Sequence, residues 1–481
     1  MTDLPDLSAV DLIKAYADRS LSPVELTQAV LARMEQLEPA LCAMWGADAA
    51  AALAAARASE ARWQAGTPAG PIDGVPMTLK ELIATRGMAK PTGTAAGDMT
   101  PQTQDAPPAA RSFESGAILL GKTTVPDYGM LSSGLSSFHK LARNPWDLTR
   151  NPGGSSAGAG TAAAAGYGPL HIGTDIGGSV RLPAGWCGLF ALKPSLGRIP
   201  IDPPYIGRAA GPMTRTVTDS ALYMQVLSRP DDRDYMSLPP AEIDWMDIEL
   251  DLDKGLNGLR IGLLLDAGCG APAEPEVTAA VIAAAHLFEQ AGAIVEPTRP
   301  FLTQDMLDGL DRFWRCRFWA ETSSLPPERY EKILPFIRAW VEPAAGYDGM
   351  TVYQGFNQIT EMRRLGEQAM RGFDFILSPT APMPAFAADL PCPTNDPMRP
   401  FEHIGFTVAY NMTEQPAASI NAGYTADGLP IGLQIVGRRF DDLGVLRLSR
   451  AYERMRPPQR PWPRPDEILA QATKLTIANR G

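Results

Sequence analysis

Two segments rich in glycine and serine stand close together in the first half of the 481-residue sequence. The first, residues 151–158, reads NPGGSSAG, and the second, residues 173–181, reads GTDIGGSVR. Glycine lets backbone N–H groups approach a ligand closely, and consecutive N–H groups before a serine can form an oxyanion hole for that serine. The two segments are therefore candidates for nucleophilic catalysis by serine.

A phosphate-binding loop or a plain tight turn is the alternative interpretation of such segments. The P-loop requires Gly-Lys-Ser/Thr after its glycines, and neither segment contains that lysine. A glycine fingerprint for dinucleotides is also absent. Either segment alone would be structural more often than catalytic, so the chemical interpretation depends on a third partner.

A lysine upstream can supply that partner. Lys80 lies in residues 74–81, GVPMTLKE, where it ends an apolar turn after a Gly-Pro loop. A lone lysine is usually a solvated surface charge. The position of Lys80 nevertheless favours an inward-pointing side chain, and a serine nucleophile needs a neighbouring base.

Together the three segments resemble the amidase signature family, and the order and spacing of Lys80, Ser155 and Ser179 agree with that family's pattern. The resemblance continues outside them and covers nearly the whole chain. It includes SPVELTQAVLARM at 22–34, CGLFALKPSLGRIP at 187–200 and LPIGLQIVGRRFDD at 429–442.

What the resemblance implies is a catalytic triad with Ser179 as nucleophile, Ser155 as proton relay and Lys80 as base. Ser155 would follow a cis peptide bond from Gly154. The backbone N–H groups of the second segment would bind the oxyanion, and three further side chains would brace the loops. The oxyanion donors are Ile176, Gly177, Gly178 and Ser179, and the bracing residues are Ser156, Asp175 and Arg181.

Lys80 must be neutral to act as a base, so its pKa must fall from about 10.4 toward about 7. Burial can lower a lysine pKa by that amount because it disfavours the charged form. Many family members carry Asp-Asn after this lysine, whereas this chain has Glu81 and Leu82. The difference concerns the surroundings of Lys80 and leaves the triad intact.

In this family the variable parts of the chain form the substrate pocket, and three segments are candidates here: 128–133, 313–319 and 378–383. The aromatic density of FWRCRFW at 313–319 favours an apolar or aromatic acyl or amine group, although a packed helix face gives the same pattern. The individual substrate-binding candidates are Tyr128, Ser132, Ser133, Trp314 and Met383.

A Ser-His-Asp hydrolase is a rival interpretation, but the sequence contains no G-x-S-x-G nucleophile elbow. None of the histidines lies in a recognisable catalytic motif. The four histidines are His139, His171, His286 and His403.

The amidase-like subunit of a tRNA-dependent amidotransferase complex is the alternative function. Such subunits usually read Arg-Gln-Pro after the nucleophile, whereas this chain reads Arg181-Leu182-Pro183. The missing glutamine favours a stand-alone amidase. A binding protein with an inactive site is disfavoured, because all three triad residues are present.

Composition limits the partners and the compartment. The net charge of −11 argues against nucleic acid as a partner. Five separated cysteines without a C-x-x-C pair fit reduced thiols in a cytoplasmic protein. No signal peptide or apolar run of membrane-spanning length is evident. We expect a small-molecule amide substrate, no metal or other cofactor, no membrane partner, and either a monomer or a homodimer.

The elements around these motifs alternate between buried strands and helices. Short apolar runs predict strands at 117–121, 259–265, 293–297, 374–378 and 430–436. This alternation and the resemblance predict an α/β fold, with a single large domain and a central mixed β-sheet covered by helices on both faces. The domain spans residues 1–481, with an N-terminal helical segment over about 1–65 and the catalytic motifs within 74–220.

Overall fold

Eleven β-strands form one mixed sheet in a computed structural model that describes residues 3–478. The order across the sheet is β1-β3-β2-β4-β6-β5-β10-β11-β9-β7-β8. Parallel pairs join β2 to β3 and β4, and β7 to β8 and β9, and the remaining pairs are antiparallel. The strands are β1 (Met44–Trp45), β2 (Pro76–Lys80), β3 (Ile118–Thr123), β4 (Leu170–Asp175), β5 (Phe190–Lys193), β6 (Ala209–Thr214), β7 (Arg260–Leu263), β8 (Ile294–Pro297), β9 (Phe375–Pro379), β10 (Ala417–Tyr424) and β11 (Pro430–Gly437).

Helices cover both faces of this sheet, which confirms the predicted fold class. The helices are α1 (Ala9–Ala17), α2 (Pro23–Leu41), α3 (Ala49–Ala65), α4 (Pro107–Glu114), α5 (Ala157–Ala165), α6 (Arg181–Cys187), α7 (Val217–Leu227), α8 (Pro275–Gln290), α9 (Gln304–Thr322), α10 (Pro327–Tyr330), α11 (Pro335–Val341), α12 (Gly349–Ala369), α13 (Gly405–Met412), α14 (Asp442–Met455) and α15 (Pro465–Ala478). None of those within residues 3–478 is both long and apolar enough to cross a bilayer.

The sheet separates two large apolar cores, because successive side chains of a strand point to opposite faces. On β9, Leu377 packs into the core formed with α1, α2, α7, α8 and α14, whereas Ile376 packs into the core formed with α9, α11, α12 and α13. On β11, Ile435 packs into the first of these cores and Val436 into the second. The two cores therefore share one sheet and belong to one domain.

Helix α2 begins at a cap formed by side chains of its own first turn. Ser22 accepts a hydrogen bond from the N–H of Val24, while Glu25 accepts one from the N–H of Ser22, so that two otherwise unpaired donors are satisfied. Pro23 occupies the first helical position, where its missing N–H costs no helix hydrogen bond. The result is a 19-residue α2 that packs against α3.

Candidate active site

Lys80 is the last residue of β2, an inner strand that pairs with β3 and β4. Met77 and Leu79 of this strand pack into the first core. The Lys80 side chain therefore points to the other face, where it is fully buried. Its Nζ donates to Ser155 Oγ at 2.8 Å and to the carbonyl oxygen of Thr174 at 3.2 Å. Lys80 thus connects the two glycine-serine segments.

Burial lowers the pKa of Lys80 to about 7, because the low-dielectric interior disfavours the ammonium form. The low value alone does not distinguish Lys80, since burial also lowers the pKa values of Lys122 and Lys193 to about 7. Lys122 donates to Ile83 and Thr85, and Lys193 donates to the carbonyl oxygen of Pro194 at 2.8 Å. What sets Lys80 apart is its contact with a serine that opens onto a cavity.

Ser155 lies just before α5, and the peptide bond between Gly154 and Ser155 is cis. A Cβ atom at Gly154 would lie 2.4 Å from the backbone nitrogen of Ser133, so this position has room only for glycine. The next residue, Ser156, donates its N–H to the carbonyl oxygen of Ser179 at 3.2 Å. The two segments are therefore held against each other at the positions of their serines.

A buried ion pair fixes the second segment. Arg181 donates to Asp175 through Nε and Nη2, at 3.0 and 2.9 Å, and both side chains are fully buried. Burial alone would raise the pKa of Asp175, but the adjacent Arg181 guanidinium holds it well below its usual range. Asn411 of α13 and Gln434 of β11 complete the network through Arg181, at 2.6 and 2.7 Å.

Three of the four expected oxyanion donors have N–H groups without an acceptor among residues 3–478: Ile176, Gly177 and Ser179. The fourth differs, because Gly178 donates its N–H to Asp175 Oδ1 at 2.8 Å. Gly178 also has a φ of +125° and no space for a Cβ, which would lie 2.6 Å from Thr407 Oγ1. Its N–H therefore braces the loop in this structure and is not free to bind an oxyanion.

A narrow cavity of about 50 Å³ is lined by two of the three expected triad residues. Ser155 and Ser179 lie in its wall, together with Tyr128 and Trp314, two of the five expected substrate-binding residues. The other lining residues, most of which sequence reasoning did not single out, are Leu82, Gly129, Met130, Thr174, Ile176, Arg208, Arg317 and Phe318.

The three remaining expected substrate-binding residues lie outside this cavity. Ser133 Oγ donates to the carbonyl oxygen of Leu390 at 2.7 Å and thus holds a loop. Met383 lines a separate cavity of about 10 Å³ beside Trp186. Ser132 is half-buried and is not part of the cavity wall. These three side chains therefore have other environments in this structure, and a substrate-binding role for them stays a prediction.

A larger cavity of about 410 Å³ lies beside α9 and contains neither reactive serine. Asp311 in its wall accepts hydrogen bonds from Arg315 and from the Trp340 indole, both at 2.7 Å. Arg399 and Glu402 at its rim pair with each other at 2.9 Å. These four charges already have partners, and the cavity wall contains none of Lys80, Ser155 and Ser179.

Each histidine has a partner or a packing role away from Ser179. His139 contacts Glu81, which also accepts the backbone N–H groups of Thr92 and Gly93 at 2.8 and 2.7 Å. Glu81 therefore shapes the loop beside Lys80. The other histidines are His171, which contacts Thr78 and Gly168, His286, which pairs with Glu289, and His403, which stacks on Trp186. In the part of the chain described, no group of three His, Cys, Asp or Glu residues is arranged to hold a metal ion.

A family model described as Amidase matches residues 25–446 of this chain. A glutamyl-tRNA(Gln) amidotransferase subunit of Myxococcus xanthus is 34% identical, over 94% of this chain and 97% of its own length. An acylamidase of Rhodococcus erythropolis is 32% identical, over 94% of this chain and 96% of its own length. The solved structure of a bacterial aryl acylamidase of the amidase signature family has a TM-score of 0.85 at 28% identity and covers 97% of this chain and 98% of its own.

Proposed function

We propose, because the chain belongs to the amidase signature family, that it hydrolyses the carbon–nitrogen bond of a small-molecule amide and releases ammonia or an amine. The observation that carries this proposal is the hydrogen bond of 2.8 Å between the buried Lys80 and Ser155, which shares a cavity with Ser179. A base, a hydroxyl relay and a nucleophile are the parts that acyl transfer by serine needs.

In the proposed reaction, Ser179 Oγ attacks the amide carbonyl carbon while its proton passes through Ser155 to neutral Lys80. The resulting oxyanion binds the free N–H groups of Ile176, Gly177 and Ser179, which offset the charge that develops there. Protonated Lys80 then returns the proton through Ser155 to the amide nitrogen. The carbon–nitrogen bond breaks, the amine leaves, and an ester to Ser179 remains.

Water completes the cycle by the same route. It loses a proton through Ser155 to Lys80 and attacks the ester carbonyl, and the oxyanion again binds the backbone donors. Collapse of this second intermediate returns the proton to Ser179 Oγ and releases the carboxylic acid. The pKa of Lys80, about 7, allows the same amine to accept and donate a proton near neutral pH.

The second candidate function is that of the amidotransferase subunit named among the relatives, since the match spans 97% of that relative's length. Leu182 argues against it, because this buried aliphatic side chain stands where such subunits usually carry glutamine. A lone chain that releases ammonia or amine from free amides supports the stand-alone amidase. Activity that requires partner subunits and glutamyl-tRNA supports the alternative.

We further propose that the protein acts in the cytoplasm, alone or as a homodimer, and that it binds neither nucleic acid nor membrane. The five free cysteines support a reducing compartment. The net charge of −11 supports a small-molecule substrate over a phosphate backbone.

The test is covalent labelling followed by a hydrolysis screen. A serine-reactive fluorophosphonate should label Ser179 alone in peptide mass spectrometry, and Ser179→Ala should abolish both labelling and turnover of aliphatic, aryl and carbamoyl amides. The exposed Ser324 provides a matched control, Ser324→Ala, which should retain both. Labelling of Ser155, or full turnover by Ser179→Ala, would contradict the proposal.

A further inference from the structure

The guanidinium of Arg208 lies in the wall of the reactive cavity without a carboxylate partner. Arg208 immediately precedes β6, and its Nε is buried and has no hydrogen-bond partner. Its Nη2 donates to the carbonyl oxygen of Pro203. Within residues 3–478, no aspartate or glutamate forms a salt bridge with it, in contrast to Arg181 and Arg317.

Arg317, the second arginine of the cavity, is already compensated. It pairs with Glu321 at 3.4 Å, and its guanidinium lies 3.7 Å from the ring centroid of Tyr205. Arg208 therefore contributes a positive charge without a salt bridge to a cavity whose wall also contains Ser155, the proposed relay. The Arg208 side chain is half-buried, and its buried Nε–H has no acceptor. A ligand carboxylate in the cavity would supply both that acceptor and the opposite charge.

We propose that Arg208 binds an anionic group of the substrate, so that the preferred substrates are short amides carrying a carboxylate. This inference rests on the proposed amide hydrolysis at the same site. A carboxylate matches the planar donor geometry of a guanidinium. The apolar side chains of Leu82, Trp314 and Phe318 would enclose the carbon chain between the carboxylate and the amide. The cavity volume of about 50 Å³ favours a chain of only a few carbons.

Arg208 also influences Lys80 electrostatically, since its positive charge opposes protonation of the nearby amine and so lowers the pKa of Lys80. The two roles have different consequences. An effect on Lys80 alone changes the pH profile equally for charged and neutral amides. Carboxylate binding changes the preference between them and acts mainly on KM.

The experiment compares pairs of primary amides of equal chain length, glutaramic acid against pentanamide and succinamic acid against butanamide, by release of ammonia. In the wild-type chain the anionic member should have the higher kcat/KM. Arg208→Gln should lower the anionic-to-neutral ratio of kcat/KM roughly ten- to hundredfold, as expected for loss of a hydrogen bond between charged groups. Arg208→Lys should recover part of the ratio. Arg371→Gln, which removes an exposed charge at a distance from the cavity, should leave the ratio unchanged.

A binding measurement separates this inference from the proposed function. In the Ser179→Ala background, calorimetry at pH 8 should show tighter binding of glutaramate than of pentanamide, and Arg208→Gln should remove the difference. Equal ratios in wild type and Arg208→Gln, or equal binding of the two amides, would overturn the carboxylate site while leaving amide hydrolysis in place. Selective binding without any turnover by the wild-type chain would support the carboxylate site and refute the hydrolase.

Discussion

Among residues 3–478, Lys80 is one of three fully buried lysines, and burial lowers the pKa of each to about 7. The chemical difference between them lies in their neighbours. Lys122 and Lys193 bond to backbone carbonyls, and Lys122 also to a threonine, whereas Lys80 bonds to a serine in the reactive cavity. A depressed pKa therefore makes a lysine available as a base, and position decides whether it can act as one.

Lys80→Arg tests the base at the residue scale. Neutral Lys80 is the active form, so wild-type turnover should fall as the pH drops through about 7 and protonates the amine. Arginine cannot lose its proton near neutral pH, so Lys80→Arg and Lys80→Ala should both lose about 10²–10⁴-fold in kcat. The measurement is a pH–rate profile for each variant, with thermal melting to verify folding.

Lys122→Met is the matched control, because it removes a buried lysine of similar pKa that does not contact Ser155. It should keep the acidic limb near pH 7 wherever the protein remains folded. Near-normal turnover by Lys80→Arg would show that Lys80 is structural, and another base would have to be found.

Ser155→Ala tests the relay. If Ser155 carries the proton between Ser179 and Lys80, removing either the relay or the base interrupts the same path. The double variant Lys80→Ala/Ser155→Ala should therefore be about as slow as the slower single variant, and not as slow as the product of two independent losses. Single-turnover kinetics of the four proteins would measure this. Losses that multiply would show that the two residues act separately.

At the scale of the elements, α6 holds the proposed oxyanion loop through its first residue. Arg181 joins Asp175 at the end of β4 to Asn411 on α13 and Gln434 on β11. Four elements from two distant parts of the sequence thus meet at one guanidinium. The loop between Asp175 and Arg181 is anchored at both ends, so its free N–H groups keep their positions without help from a ligand.

Arg181→Leu should destabilise the fold strongly, because it leaves the Asp175 carboxylate buried without its counter-ion. Breaking a buried pair in this way typically costs about 3–5 kcal/mol, and urea unfolding at pH 8 would measure the loss. Arg371→Leu, at an exposed site, should stay within about 0.5 kcal/mol of wild type. A loss below about 1 kcal/mol in Arg181→Leu would mean that the remaining donors satisfy Asp175 alone.

The elements that sequence predicts and those it misses differ in composition. Apolar runs predict five strands, among them β7 and β9, to within one or two residues of their observed bounds. The inner strand β6 escapes prediction because AAGPMT contains glycine and proline and resembles a loop. Its partners β4 and β5 impose the extended conformation through tertiary pairing.

At the candidate site, too, the sequence predicts some residues and misses others. The resemblance to the amidase signature family implies that Lys80, Ser155 and Asp175 lie near one another, because all three belong to segments that carry the resemblance. Arg208 lies outside any motif and reaches the cavity only through the placement of β6 beside β4. The polar Gln434 within the apolar strand PIGLQIV is a sequence signal for a buried contact, although its partner Arg181 lies 253 residues away.

At the scale of the whole molecule, the buried titratable groups predict an unusual dependence of stability on pH. Lys80, Lys122 and Lys193 have folded pKa values near 7 and unfolded values near 10.4. Above pH 7 the unfolded chain therefore binds more protons than the folded one, and stability rises with pH. Asp219 has the opposite effect on stability, because burial raises its pKa to about 7. It makes the free energy of unfolding fall as the pH rises toward 7 and changes it little above that value.

The free energy of unfolding should therefore increase between pH 7.0 and 8.0, below the pKa of about 8.5 at which unfolded cysteines ionise. Each lysine contributes at most about 1.4 kcal/mol per pH unit in this window. Urea unfolding across the window would measure the slope, and Lys122→Met should reduce it by up to that amount. A flat or falling profile in the wild-type protein would show that the three lysines remain charged when buried.

The alternation of side chains across the sheet bears on how such a protein can diverge. The reactive groups and the cavity wall belong to one face, whereas the core around α1, α2, α7 and α8 lies behind the other. Substitutions on α9 and its neighbours can therefore change which amide is accepted, while the core behind the opposite face of the sheet continues to stabilise the fold.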